Sequence, residues 1–315
     1  MKVLVTGGAG FIGSNLVRFM LDCDPSINVR VVDDLSSGRP ENLRNLSVDF
    51  RESTILDYQS LMRAADGVDA IVHLAAIASV PQSVTDPRAS HDVNATGTLN
   101  VLEAARTANV GQVIVASSSA VYGPNPEPRK SETSWTRPLS PYAVSKQATE
   151  GYAIAYQYSY GLPTLAFRFF NVYGPNQLAG HAYAAVIPKF IDAALRGLPV
   201  RVEGDGTQSR DFTYVDTICS VLFDSLTRRL ACDSPVNLAL GTSTTVLELV
   251  ELIEQELGHP VAREFVAPRV GDVKASQADS SRLMELFPTL ADVDLRSGLA
   301  RTVAWYRQAL ERSPE

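Results

Sequence analysis

Thiols are scarce in this chain and scattered. Cys23, Cys219 and Cys232 are odd in number, far apart and outside any C-x-x-C pattern. That excludes a disulfide framework and a zinc site, so no metal is expected, and it points to buried thiols in a reducing compartment. Basic residues are short as well: 28 Lys and Arg stand against 35 Asp and Glu, for a net charge of −7 and a pI near 5.2. Binding to a nucleic-acid backbone needs clustered Lys and Arg, so no nucleic-acid partner is expected, although a local pocket could still take a phosphate. No apolar run approaches the roughly 20 residues needed to cross a bilayer, which removes the membrane as a partner. No signal peptide is expected either, because Met1-Lys2-Val3-Leu4-Val5 runs straight into Thr6-Gly7-Gly8, a strand and a tight turn. The expected location is cytoplasmic.

What is present is the composition of an ordinary globular protein. The 315 residues are 45% hydrophobic and 20% charged, enough to bury a full core in one large or two smaller domains. The first motif follows at once. Lys2 to Thr6 reads as a short buried strand, and Gly7, Gly10 and Gly13 in G-x-x-G-x-x-G spacing turn it into a helix beginning near Phe11. Such glycines allow a tight turn, close approach of backbone N–H groups to a pyrophosphate, and close packing of helix on strand. A second strand, Val29 to Val32, ends at Asp33, about twenty residues beyond Gly13, where a dinucleotide-binding unit places the carboxylate that accepts from the adenosine ribose. An anion there repels a 2′-phosphate, which favours NAD over NADP. Asp34, Ser36, Ser37 and Gly38 continue the turn and could line the adenosine.

Strands and helices then alternate: Asp69 to Ala76, a helix from about Thr96 to Ala108, and Gln112 to Ser117. Near-continuous apolar strands between amphipathic helices indicate a parallel sheet covered on both faces, hence a doubly wound α/β domain. His73, at the end of a buried strand, is read as a packed core histidine rather than a catalyst. Ser117, Ser118 and Ser119 close the last strand, where ligands bind in such sheets. A loop rich in Pro and charge, 124–138, separates them from a helix bearing Tyr142 and Lys146. At that spacing one turn stacks the phenol and the ammonium on the same face, so the cation should lower the phenol's pKa and let it act as an acid or base on a hydroxyl. Y-x-x-x-K alone recurs by chance and takes its meaning from these surroundings. Thr164 to Phe169 is another strand, ended by a polar turn at 171–176. Beyond it lie helices at 186–196 and 246–257, a loop-like stretch at 203–212 with Arg210, and Arg269 beside Asp272; two arginines and an acid suit a nucleotide diphosphate and its ribose.

Taken together, these motifs resemble the extended short-chain dehydrogenase/reductase family, and within it the UDP-galactose 4-epimerase branch. The likeness covers essentially the whole chain and rests on Thr6 to Gly13, Asp33 to Gly38, His73 to Ala76, Ser117 to Gly123, Tyr142 with Lys146, Arg168 to Asn171 and Ser209 to Phe212, in the family's order. The resemblance implies a Rossmann domain of residues 1–172 with a returning segment about 211–240. A smaller mixed α/β substrate domain of 173–210 and 241–315 completes it. It implies catalysis by Tyr142 as base, Lys146 as its tuner and ribose ligand, and Ser118 on the reacting oxygen. Cofactor contacts would come from Gly7, Gly10, Phe11, Ile12, Gly13, Asp33, Asp34, Ser36, Ser37 and Gly38. Further NAD contacts would come from Thr54, Ile55, Leu74, Ala75, Ala76, Asn94, Ser117 and Phe169. Relatives often carry an Asp in place of Thr54, which weakens that contact. Substrate contacts would come from Ser118, Ser119, Asn171, Val186, Lys189, Val202, Arg210, Arg269, Asp272 and Ser276.

On this resemblance the reaction is NAD-dependent 4-epimerisation of a UDP-hexose, with a homodimer formed through a four-helix bundle. Ser119 and Ala120 stand where 4,6-dehydratases place an acid pair, so dehydration is disfavoured. Ser276 stands where epimerases restricted to unacetylated sugars carry a bulky Tyr, which leaves room for an N-acetyl group at C2. UDP-glucuronate is the competing substrate, although the segment 174–185 holds His181 and no Arg. A non-catalytic NAD-binding regulator is the alternative of another class.

Overall fold

The computed structural model describes residues 1–180, 184–268 and 274–312. Strands β1 (Lys2–Thr6), β2 (Asn28–Asp33), β3 (Val48–Glu52), β4 (Ala70–His73), β5 (Val113–Ser118) and β6 (Thr164–Phe169) carry the first half. Between them run helices α1 (Phe11–Cys23), α2 (Tyr58–Ala65), α3 (Val80–Thr85), α4 (Pro87–His91), α5 (Gly97–Thr107) and α6 (Pro141–Tyr160). The second half begins with β7 (Asn171–Tyr173), α7 (Val186–Leu195), β8 (Val200–Glu203), β9 (Ser209–Arg210), β10 (Phe212–Tyr214) and α8 (Val215–Thr227). It closes with β11 (Val236–Leu238), β12 (Thr244–Thr245), α9 (Val246–Leu257), β13 (Arg263–Val266), β14 (Ala275–Ser276), α10 (Ser281–Leu286) and α11 (Leu295–Arg312).

Seven strands form one sheet in the order β11-β6-β5-β4-β1-β2-β3, and every pair in it is parallel. The order reverses between β1 and β4, which opens a crevice at their carboxyl ends. Strand alternation divides the core. Val3 and Val5 face a cluster that takes in Leu16 and Met20 of α1, Ile218 and Leu222 of α8, and Leu249 and Val303 from the C-terminal helices. Leu4 faces the other cluster, with Leu61, Leu102, Ala153 and Tyr156. The C-terminal elements therefore share a continuous apolar core with one face of the sheet.

The expected strands stand at their places, with three differences. β3 carries no apolar run, since Val48-Asp49-Phe50-Arg51-Glu52 is a largely exposed edge strand held beside β2 by an Arg30–Asp49 ion pair of 2.7 Å. The polar turn expected at 171–176 begins later, because Asn171–Tyr173 pairs in parallel with Phe212–Tyr214. The loop expected at 203–212 likewise contains β9, which pairs with both β12 and β14. Cys219 is buried as expected, but Cys23 is exposed. Among the described residues no helix is long and apolar enough to cross a membrane.

Candidate active site

The first wall of the crevice is backbone. Gly7 sits at φ +73° and donates its N–H to the Val32 carbonyl at 2.8 Å. A Cβ at Gly7 would lie 2.6 Å from the Ala75 nitrogen, and one at Gly13 would lie 2.2 Å from the Gly7 oxygen. Helix, turn and the 74–75 strand exit are thus in direct contact, as a cradle for a flat anionic ligand requires. Among the described residues no side chain caps α1, whose N-cap is the extended Gly10, so the amides of Phe11, Ile12 and Gly13 stand at the positive end of the helix dipole. Asp33 ends β2. Its carboxylate accepts from the N–H groups of Ala9 and Leu35, both at 2.9 Å, and burial pushes its pKa up against those bonds. Gly38 lies so close that a Cβ there would meet Asp33 Oδ1 at 2.7 Å. Asp34 and Ser36 close an exposed turn on each other, and Ser37 is exposed beside them. This cradle and its carboxylate fit NAD.

The wall above the cradle is fixed by one amide. Asn94 lies on a single π-helical turn, Asp92–Thr96, a distortion common at functional sites. Its Oδ1 accepts from Ile77 N–H at 2.8 Å, while its Nδ2 donates to the Ile77 carbonyl at 3.1 Å and to Ser145 Oγ at 2.9 Å. The side chain is spent on protein, so Asn94 holds the half-buried Leu74-Ala75-Ala76 exit against α6. Thr54 Oγ1 accepts from Leu56 N–H at 3.3 Å; Ile55 and Phe169 are buried.

The opposite wall brings the three expected catalytic side chains together. Ser140 caps α6, its Oγ accepting from Ala143 N–H at 3.1 Å with Pro141 in the first turn, and that start fixes Tyr142 and Lys146 on the face toward β5. Ser117 Oγ donates to the Lys146 carbonyl at 3.3 Å, and Lys146 Nζ donates to the Ala116 carbonyl at 2.9 Å. Ser118 Oγ accepts from Ala120 N–H at 3.2 Å, and Ser119 opens the 3₁₀ turn that follows. The expectation that Lys146 lowers the Tyr142 pKa is not met: burial pushes the phenol up, and the neighbouring Ser118 hydroxyl pulls it only part of the way back. Burial also pulls Lys146 down, to about 8. Lys146 is buried and Tyr142, one turn away, is half-buried, so each loses hydration in its charged form.

Two buried networks support this wall, and neither was named from the sequence as part of the site. His73 is a core residue, as expected: Nδ1 bonds Thr6 Oγ1 at 2.7 Å and Nε2 bonds Thr98 Oγ1 at 3.0 Å. Burial, with the Lys146 charge second, pulls its pKa down to about 3. Arg168 makes a two-pronged pair with Glu150 of α6 at 2.9 and 3.0 Å, both side chains 6% exposed. It also donates to Tyr122 Oη at 2.9 Å, and that phenol donates to Asn237 Oδ1 of β11 at 2.7 Å.

Across the crevice lie the residues expected to hold substrate. Asn171 N–H and Nδ2 both donate to the Asp211 carbonyl, at 3.2 and 3.3 Å. Arg210 lies opposite Ser276 in the β9–β14 pairing, so the cation and the small residue are strand neighbours. Val186 and Lys189 occupy the first turn of α7, both half-buried. Val202 is fully buried within β8, where it pairs with β13. Arg269, Asp272 and His181 lie outside the described residues. Among the described residues no cluster of three or more His, Cys, Asp or Glu could hold a metal.

Known proteins share this arrangement. A family model described as the NAD dependent epimerase/dehydratase family matches residues 3–239. A UDP-glucose 4-epimerase of Mycolicibacterium smegmatis is 37% identical over 98% of this chain and 99% of its own. A UDP-glucuronate 4-epimerase of Thermodesulfobacterium geofontis is 32% identical over 98% and 97%. The solved structure of a UDP-N-acetylglucosamine 4-epimerase from Methanobrevibacter ruminantium, in complex with UDP-N-acetylmuramic acid, superposes with a TM-score of 0.93 at 38% identity over 98% of each chain.

Proposed function

Because the chain belongs to the NAD dependent epimerase/dehydratase family, we propose that it interconverts UDP-glucose and UDP-galactose, with room for the N-acetyl sugars. The observation that carries this reading is the junction of Ser118, Tyr142 and Lys146 at the carboxyl end of β5, followed by Ser119 and Ala120 rather than an acid pair. A phenol and a hydroxyl that meet one oxygen can move its proton, whereas elimination of water needs a further acid and base.

Each residue then has a part. The Gly7–Gly13 cradle, the start of α1 and Asp33 would hold NAD, which when bound takes and returns the hydrogen at sugar C4. Tyr142 removes and restores the C4 hydroxyl proton, and Ser118 donates to the same oxygen. Burial favours the neutral phenol, which is the form that restores the proton to the sugar oxygen when the hydride returns. Arg210 would take the diphosphate, and the small Ser276 beside it would leave space at C2. UDP-glucuronate remains the second reading, supported by the relative of that activity and by the hydroxyls of Ser118 and Ser119, which could donate to a carboxylate; Ser117 is buried and already donates to the Lys146 carbonyl.

Proton NMR of the purified protein, without added NAD, in parallel tubes of UDP-glucose, UDP-N-acetylglucosamine and UDP-glucuronate tests this. The expected result is a new anomeric signal from the 4-epimer, fastest with the first two sugars. Silence in all three tubes after NAD is supplied would refute the reading.

A further inference from the structure

We infer that Asp211 is the positioning residue of the nucleotide-sugar side of the cleft, holding Asn171, Arg210 and Ser276 in one arrangement through its backbone and its carboxylate. The inference rests on the reading of that side as the substrate wall.

The contacts converge from three other segments. The Asp211 carbonyl accepts both Asn171 donors, at 3.2 Å from the main chain and 3.3 Å from the side-chain amide. Its own N–H donates to the Ser276 carbonyl at 2.9 Å. Carboxylate Oδ2 accepts from Gly241 N–H at 3.0 Å and from Ala278 N–H at 3.1 Å, while Oδ1 accepts from Thr242 Oγ1 at 3.0 Å. Gln277 Nε2 adds a bond from the 275–279 strand to the Gly241 carbonyl at 2.7 Å. One residue thus fixes the exits of β11 and β14 and the start of β7 relative to Arg210, its sequence neighbour.

Packing alone does not call for a carboxylate here. Asp211 is 0% exposed, burial pushes its pKa up, and the groups that offset this are hydrogen-bond donors of Ala278, Thr242 and Gly241 rather than a Lys or Arg. A buried anion without a cation is costly, and an apolar side chain of similar size would fill the same space. What the carboxylate alone provides is strong acceptance from several neutral donors on two segments. The same strand is linked on its other side to the loop that follows Ser118: Lys130 N–H donates to the Gln277 carbonyl and Asp279 N–H to the Lys130 carbonyl, both at 2.9 Å. Asp211 therefore sets not only the spacing of the substrate ligands among themselves but their distance from the catalytic wall.

Three variants of the NAD-loaded protein test this, with UDP affinity by calorimetry and steady-state epimerisation as readouts. Asp211→Asn can keep an oxygen on Gly241 and Ala278 but turns an amide toward Thr242. Asp211→Ser withdraws from all three donors, and Thr242→Val removes one contact while leaving the carboxylate. Loss of interactions that orient substrate equally in ground and transition states raises KM with kcat little changed. The expectation is a UDP dissociation constant and a KM raised about tenfold in Asp211→Asn and further in Asp211→Ser, a smaller rise in Thr242→Val, unchanged NAD content, and kcat within about threefold. Leu102→Ala, a cavity on the opposite face of the sheet, controls for lost stability and should lower the melting temperature without weakening UDP binding. If Asp211→Ser does not fold, the other two variants read the same contacts. UDP affinity and KM equal to the parent in Asp211→Asn and Thr242→Val, or weakened no more than in Leu102→Ala, would overturn the inference and leave the proposed activity standing. A parent that binds UDP but turns over no UDP-hexose would do the reverse. A parent that binds no UDP would overturn both.

Discussion

The Arg168–Glu150 pair offers the sharpest test of how the catalytic helix is held. Both side chains are buried, and among the described residues both Glu150 oxygens are met by Arg168 alone. Arg168 has more: the Tyr122 hydroxyl at 2.9 Å, the Glu132 carbonyl at 3.4 Å and the Tyr122 ring face 4.8 Å from its guanidinium carbon. Removing one partner of a buried pair costs about 3–5 kcal/mol when it strands the other charge. Arg168→Met strands the carboxylate and should cost that amount. Glu150→Gln leaves the guanidinium an amide oxygen, a phenol and a carbonyl, so its cost should be nearer 1–3 kcal/mol, the value of one charge-assisted bond. Arg168→Met with Glu150→Leu should recover most of the loss, because no charge is then left stranded. Urea unfolding at fixed NAD concentration, with midpoints converted at a common slope, measures all three. Because α6 carries Tyr142 and Lys146, turnover should fall in the same order. A cost for Glu150→Gln equal to or above that of Arg168→Met, or a double variant no more stable than Arg168→Met alone, would refute this reasoning.

Further expectations concern the reacting groups and the cradle. Tyr142→Phe should abolish turnover while fold and bound NAD, read by circular dichroism and absorbance, are kept. Gly13→Ala forces a methyl to within 2.2 Å of the Gly7 carbonyl, so the protein should purify with little or no NAD and with stability reduced by about 1–3 kcal/mol. Burial lowers the folded pKa of Lys146 to about 8, so the unfolded chain binds the extra proton above that value and this residue's contribution to stability rises with pH from about 8 upward. Lys146→Met should accordingly be inactive yet no less stable than the parent below pH 8, an advantage that shrinks toward pH 10; melting temperatures across that range check it. His73, neutral in the fold down to about pH 3, costs stability as pH falls through the unfolded histidine value of about 6.5. His73→Gln should flatten the parent's fall in melting temperature between pH 6.5 and 4.

Much of this site could be read from residues whose chemistry needs a fixed spacing. Gly7, Gly10, Gly13 and Asp33 were legible because turn, helix start and ribose carboxylate are set by local geometry. Tyr142 and Lys146 were legible because one helical turn joins them. Strand β3 was not, since an exposed edge strand of alternating charge shows no apolar period. Asn171–Tyr173 reads locally as turn because its pairing partner lies some forty residues on, out of reach of any local pattern. Asp211 went unremarked beside Arg210 for a similar reason: its donors are mostly main-chain N–H groups, and those leave no mark on a sequence. The direction of the Tyr142 shift also escaped. Spacing shows that a cation is near, whereas loss of hydration, which moves the phenol the other way, depends on the fold around it.

The last strand to join the sheet is β11, which covers the edge of β6 only after the intervening β7–α8 segment has been made. At about 5–20 residues per second on the ribosome, the Thr164–Phe169 edge stays open for several seconds with its apolar residues formed and its hydrogen-bonding groups unmet. That interval exposes the nascent chain to strand addition by its neighbours on the same message. Slow stretches of translation before β11 has emerged from the ribosome would lengthen the period of exposure, while those after its emergence would not. Synonymous codon changes in the earlier window, scored by the soluble fraction recovered, should therefore alter yield without altering a single side chain.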